Sequence, residues 1–158
     1  MSYAPTRLLY KAVLAAYSEA LRLGHNFIGP EHLIVGLLQV EDGIASTVFD
    51  ELEVDRAELR GVLEDRLPEP ETTPLAGELP YTQAGASVLK GAMAEADDES
   101  VTYMSTGHLL MAVFDAEAWP GDRSTSVVEL RERVERVAAA SKEHDDLLSE
   151  EPEGGNHL

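Results

Sequence analysis

Gly29-Pro30-Glu31-His32-Leu33 and Ser105-Thr106-Gly107-His108-Leu109 stand 76 residues apart. Working outward, the same offset aligns Thr6 with Thr82, Ala16 with Ala92, Glu19 with Glu95, Ala20 with Ala96 and Phe27 with Tyr103. Further on, Glu58-Leu59-Arg60 aligns with Glu129-Leu130-Arg131 at an offset of 71, so about five residues are missing from the third-helix region of the second copy. The chain therefore reads as an internal duplication. Each copy alone has too little core, so the two are expected to pack around a pseudo-two-fold axis.

Each copy reads as helical. Thr6 suits the cap of a helix carrying Leu9, Val13, Ala16, Ala20 and Leu23, with Gly24 as its stop. Pro30 fits a first helical position, where its missing N–H costs nothing, and Leu33, Ile34, Leu37 and Leu38 follow on a wide apolar face. Ile44, Val48, Phe49 and Leu52 mark a third helix, and Asp55 with Glu58 opens a fourth at capping-box spacing. Thr82, Thr106 and Ser126 open the helices of the second copy. No segment shows convincing strand alternation. The expected class is all-α, with two repeats of about four helices each, residues 3–67 and 81–140, in one domain over 1–140. Pro68, Pro70, Pro74 and Pro80 make residues 68–80 a linker. Residues 141–158, acidic and almost without apolar side chains, read as a disordered tail.

Composition sets outer bounds. The 158 residues include no cysteine, which excludes disulfides, thiolate metal sites and a cysteine nucleophile. Thirty acidic against 12 basic residues give a formal net charge of -18, which argues against nucleic acid and anionic membranes as partners. No apolar run approaches the roughly 20 residues that span a bilayer. Met1 to Tyr10 lacks the apolar core and cleavage site of a signal peptide, so a cytoplasmic protein is expected.

The stretch Ala20-Leu21-Arg22-Leu23-Gly24-His25-Asn26-Phe27-Ile28-Gly29-Pro30-Glu31-His32-Leu33 resembles the Clp N-terminal (Clp repeat) domain of the ClpC type, whose repeats typically read G-H-N-[YF]-I-G-T-E-H-[IL]-L-x-G-L. Gly36-Leu37-Leu38, Glu41-Asp42-Gly43-Ile44-Ala45 and Leu79-Pro80-Tyr81-Thr82 continue the pattern, over about residues 3 to 140. No G-x-x-x-x-G-K-[ST] phosphate loop occurs, so the expectation is a free-standing N-domain without the ATPase modules. The resemblance implies a non-catalytic module that recognises Clp substrates, adaptors or Clp-directed peptides, for delivery or for sequestration and regulation of a Clp protease. It also implies arginine-phosphorylated substrates as candidate partners. An alternative is a protein that sequesters cyclic peptide antibiotics aimed at Clp N-domains, or a structural module with a degenerate site.

By the same resemblance, Glu31 with Gly29, Pro30 and His32 is the candidate phosphoarginine site. A carboxylate pairs with a planar guanidinium, and free N–H groups in a first helical turn suit phosphate. Two departures stand out: Pro30 replaces a threonine, and Gly107 replaces the second glutamate. Ser105, Thr106, Gly107 and His108 thus form a degenerate equivalent. Glu31 also has a plainer reading, as an acidic residue favoured by the helix macrodipole. His32 and His108 lack the spacing of a metal motif, and equivalent repeat positions favour a packing or capping role. His25 reads as a C-terminal cap. Tyr3, Tyr10 and Tyr81 are candidates for a peptide or adaptor surface, or for core filling. Trp119 reads as a peripheral plug. No nucleophile–base–orienter set can be assembled, so no catalytic residue, metal or cofactor is expected.

Overall fold

Thr6 accepts a hydrogen bond from the Leu9 amide (3.0 Å) and so starts α1 (Arg7–Arg22). The structure, a computed structural model, describes residues 4–71, 78–121 and 124–148. Repeat one continues with α2 (Pro30–Gln39), α3 (Ile44–Glu51) and α4 (Arg56–Asp65). Repeat two holds α5 (Gln83–Asp98), α6 (Thr106–Asp115) and α7 (Val127–Ala140). The all-α class holds. Thr82 and Ser126 cap α5 and α7 through the Gly85 and Glu129 amides, as their sequence positions indicate.

The first helix of each repeat packs on the second, α1 on α2 and α5 on α6, and α2 meets α6 at the centre. Their sequences fit that place: α6 is buried from Thr106 to Phe114, as a helix apolar on all sides must be. Gly36 lets α1 cross α2 closely, since a Cβ there would lie 2.1 Å from the Ala12 carbonyl oxygen.

The repeats are exchanged at their entrances. β1 (Ala4–Pro5) pairs in parallel with β2 (Tyr103–Met104), and Ile28 bridges to Tyr81 at the equivalent place. The Thr6 amide donates to Met104 O (2.9 Å) and the Thr82 amide to Ile28 O (3.0 Å). Each first-helix cap is thereby fixed beside the N-terminus of the other repeat's central helix.

The duplicated glutamates and arginines resolve into matching ion pairs, each a buried carboxylate held by a partly exposed arginine. Arg131 grips Glu95 with two bonds of 2.7 and 2.8 Å, and these hold the Glu95 carboxyl below the usual carboxylate range. Glu19 is bound by Arg60, Arg22 (2.8 Å) and Gln39 (3.0 Å). Burial pushes its carboxyl up, but the bonds to Arg22 and the charge of Arg60 outweigh burial and bring it down. One ion pair thus ties first helix to last in both repeats.

Two features differ from the sequence reading. Among the described residues, repeat two has three α-helices. The connection 116–126 holds no helix among its described residues, whereas the five-residue-longer connection 40–55 contains α3. The second difference concerns the acidic tail. Residues 141–148 are not a solvated extension: they form a strap across both repeats, with a 3-10 turn at Glu143–Asp145. The Arg7 amide donates to Asp146 O (2.8 Å), the Leu148 amide to Pro5 O (2.9 Å), and Thr6 bridges to Leu147. The cause is Glu143, which finds enough donors to be buried despite its charge. Residues 149–158 of the predicted tail, and 72–77 of the linker, lie outside the described residues. The linker's flanks touch the body, with the Glu71 amide on Gly24 O (2.8 Å) and Leu79 buried.

Candidate functional site

The duplication builds two cradles of the same plan, each made from the α2 or α6 N-terminus and the first-helix cap of the other repeat. In the repeat-two cradle Ser105 caps α6, and Thr106 and Gly107 form its first turn. The Glu143 carboxylate fills it. Oε2 accepts from the Thr106 amide (2.7 Å) and the Thr6 hydroxyl (2.6 Å); Oε1 accepts from the Thr106 hydroxyl (2.6 Å) and the Ile44 amide (2.9 Å). One anion thus satisfies the starts of α3 and α6 together. Gly107 is a steric requirement here: a Cβ would come within 2.8 Å of Ile44 Cγ2 and 3.1 Å of Val134 Cγ1.

The repeat-one cradle has no such occupant among the described residues. A Cβ on Gly29 would lie 3.2 Å from Glu31 Oε1 and 3.6 Å from Thr82 Oγ1, so both oxygens flank the Gly29 backbone. Glu31 is half-buried, and its side chain makes no hydrogen bond or ion pair among the described residues. Gly29 has no side chain to cap the helix, and Pro30 has no N–H. The Glu31 and His32 amides are therefore the donors of this helix start, beside one free carboxylate.

His32 and His108 are built into these helix starts. The Gly29 amide donates to His32 Nδ1 (3.0 Å) and the Ser105 amide to His108 Nδ1 (2.9 Å), with histidine in the place of the usual Glu or Gln; the His108 amide returns a bond to Ser105 Oγ (3.3 Å) and closes a capping box, whereas Gly29 leaves repeat one with half of one. With Nδ1 accepting, His32 carries its proton on Nε2 and donates to His25 Nδ1 (3.0 Å). His25 in turn donates from Nε2 to Pro68 O (2.8 Å). Its side chain therefore pins the linker instead of capping α1; only its backbone amide closes that helix, on Ala20 O. Burial, then the neighbouring His25, lowers the His32 pKa to about 4. In repeat two, His108 Nε2 meets Glu99. There the strap supplies the missing ring: His144 stacks on Tyr103 at 5.5 Å, as His25 stacks on Phe27 at 5.3 Å.

Tyr10 and Tyr81 are both half-buried, no ring contact joins them among the described residues, and Tyr81 packs against the core. Tyr3 lies outside the described residues. Trp119 is no peripheral plug: it is 4% exposed and stacks between Phe49 (5.6 Å) and Phe114 (5.1 Å), joining α3 to α6. Among the described residues no group of three or more His, Asp or Glu is placed to hold a metal, and no single helix is long and apolar enough to cross a membrane.

The architecture is a double helical repeat, with the two repeats packed through their central helices. Residues 5–124 match the Clp repeat (R) N-terminal domain, and the chain belongs to that family. Among curated relatives, the ClpA homologue of the Clp protease ATP-binding subunit from Porphyra purpurea is 33% identical over 108 residues, which is 68% of this chain and 13% of that protein. Rice chloroplastic chaperone protein ClpC1 is 31% identical over 108 residues, 68% of this chain and 12% of its own length. The chain thus spans about an eighth of these relatives. Among solved structures, the Hsp104 N-terminal domain from Candida albicans superposes with a TM-score of 0.70 at 13% identity, covering 89% of this chain and 94% of that one. The ClpV N-domain in its complex with a VipB peptide gives 0.67 at 14% identity, covering 90% and 96%.

Proposed function

We propose that this chain is a non-catalytic recognition module of the Clp system that holds a partner polypeptide, and that its repeat-one cradle takes a phosphorylated arginine side chain. The observation that carries this reading is the asymmetry of the cradles. In repeat two an anion already sits on the helix start; in repeat one the amides of Glu31 and His32, the Thr82 hydroxyl and the unpaired Glu31 carboxylate lie together. Such a set suits both ends of a zwitterion, with phosphate on the amides and guanidinium on Glu31. The ClpV N-domain's complex with a VipB peptide supports peptide binding as a use of this fold. The substrates, adaptors and marked proteins of a Clp protease are then the partners, delivered or sequestered.

The test is a calorimetric titration with free phosphoarginine. Saturable binding by the wild type that vanishes in Glu31→Ala is the expected result. Absence of binding would overturn the phosphoarginine assignment and leave Glu31 as a macrodipole residue, with Tyr10, Tyr81 and cyclic peptides next in line.

A further inference from the structure

Among the described residues repeat two has one helix fewer, and repeat one shows what that helix does. α3 reaches across to pack on α6 and α7 of the other repeat. Its Ile44 lies beside Gly107 and Val134, and its Glu51 is clamped by Arg133 (2.8 Å) and Arg136 (2.6 Å). Those bonds, Arg136 first, lower the Glu51 pKa to about 2. At the offset of 71, the α7 surface that receives α3 corresponds to a surface on α4: Leu130 to Leu59, Arg133 to Val62, Val134 to Leu63 and Arg136 to Asp65.

Among the described residues no helix lies on α4 at that place, because the α6–α7 connection is five residues short; Leu59 and Leu63 are buried, Leu59 beside Gly121, and Val62 is left exposed. A groove of about 680 Å³ lies there instead, lined by Leu52, Val54, Leu59, Val62, Phe114 and Trp119. That volume is in the range of ligand-binding clefts. Its rim is acidic, with Glu53, Asp55 and Glu58. Asp55 caps α4, but Glu53 and Glu58 are exposed and make no ion pair or side-chain hydrogen bond among the described residues. The charge logic is thus inverted between the two surfaces. On α7 the host supplies arginines and the guest helix supplies a glutamate. On α4 the host supplies carboxylates, so a matching guest must supply the cations.

We propose that this groove receives a short amphipathic helix from a partner protein, apolar toward Leu52, Val54 and Val62 and bearing lysine or arginine toward Glu53 and Glu58. It seats where a second copy of α3 would lie. This is helix-in-groove recognition, with the rim charges choosing the guest. The site is separate from the cradle and does not depend on its ligand.

The chain's only tryptophan, Trp119, is in the groove wall and reports on it. The probe is a tryptophan-free, end-blocked helix of about 14 residues, long enough to be helix-competent, built from Ala, Lys and a leucine row at i, i+4 spacing. A twin carries Glu for every Lys. Saturable change in Trp119 emission with the lysine peptide is expected, with affinity at least about tenfold above the glutamate twin's. Glu53→Lys with Glu58→Lys, both exposed and checked for fold by circular dichroism, should reverse that preference. Val62→Asp should abolish binding although it adds a negative charge, which separates docking from attraction to an acidic surface. Saturating phosphoarginine should leave the peptide affinity unchanged, so failure here is distinct from failure at the cradle. No saturable response, equal affinity for the twins, or lysine-peptide binding unmoved by Val62→Asp would each overturn the proposal.

Discussion

The two helix-start cradles share a plan and differ in what completes them. In repeat two, four donors close on the Glu143 carboxylate, and α3 presses against Gly107. In repeat one, no strap arrives among the described residues, and the matching position holds Glu31 with room for its side chain. The difference shows how a duplicated chain divides labour. One copy of a polar site, satisfied from within, becomes a fastening; the other keeps its donors and its charge available. The same asymmetry governs the outer surface, where a helix, α3, covers α7, but among the described residues only the connection at Trp119 and Gly121 packs on α4.

The largest expected effect comes from emptying the filled cradle. Glu143→Ala strands buried amides of Ile44 and Thr106 and should cost about 3 kcal/mol. For a domain of this size that is a fall in melting temperature of roughly 10 °C. A thermal melt within experimental error of wild type would show that the strap is not a fastening.

Nearly as large is the acid sensitivity of the repeat-one histidine chain. A histidine in the unfolded chain titrates near 6.5, whereas folded His32 titrates at about 4. Between those values the unfolded chain binds more protons, so acid favours unfolding. The contribution is intact above pH 6.5 and lost by pH 4, about 3 kcal/mol across the window. Titration of the His32 ring by NMR, with urea midpoints at the same pH values, checks it. A ring midpoint near 6.5 would contradict the buried chain from Gly29 to Pro68.

Giving repeat two a side chain at its glycine is a sharper probe. Gly107→Ala sets a methyl against Ile44 and Val134 and should cost about 2 kcal/mol by overpacking. Chemical denaturation would read it, and a neutral outcome would mean that α3 yields easily. The smallest effect belongs to Glu31→Ala, expected to change stability by less than about 0.5 kcal/mol because the side chain is partly exposed and unpaired. A large loss there would make Glu31 a structural residue and count against a binding role.

Much of this was open to inspection in the sequence. Thr6, Asp55, Thr82 and Ser126 cap the helices their spacing assigns them, because capping is a local interaction between a side chain and an amide three residues on. Glu19 aligns with Glu95 and Arg60 with Arg131 as signs of duplication, and the structure gives each pair the same use, an ion pair between first and last helix. Glu143 carried no such signal. It sits among other acidic residues, and only the arrival of donors from three distant segments distinguishes it. The Gly107 departure looked like a lost ligand from the sequence; in the structure it is also the space that α3 needs.

What the sequence determined by itself is the repeat: local capping, helical periodicity and an offset of 76 that breaks to 71 specify two similar helical units. What the tertiary structure decided is how the units become unequal. Five missing residues remove one helix, an acidic strap closes one cradle, and a groove opens on α4. Those outcomes depend on contacts between segments far apart in the chain, whose partners become neighbours only when the two repeats pack together.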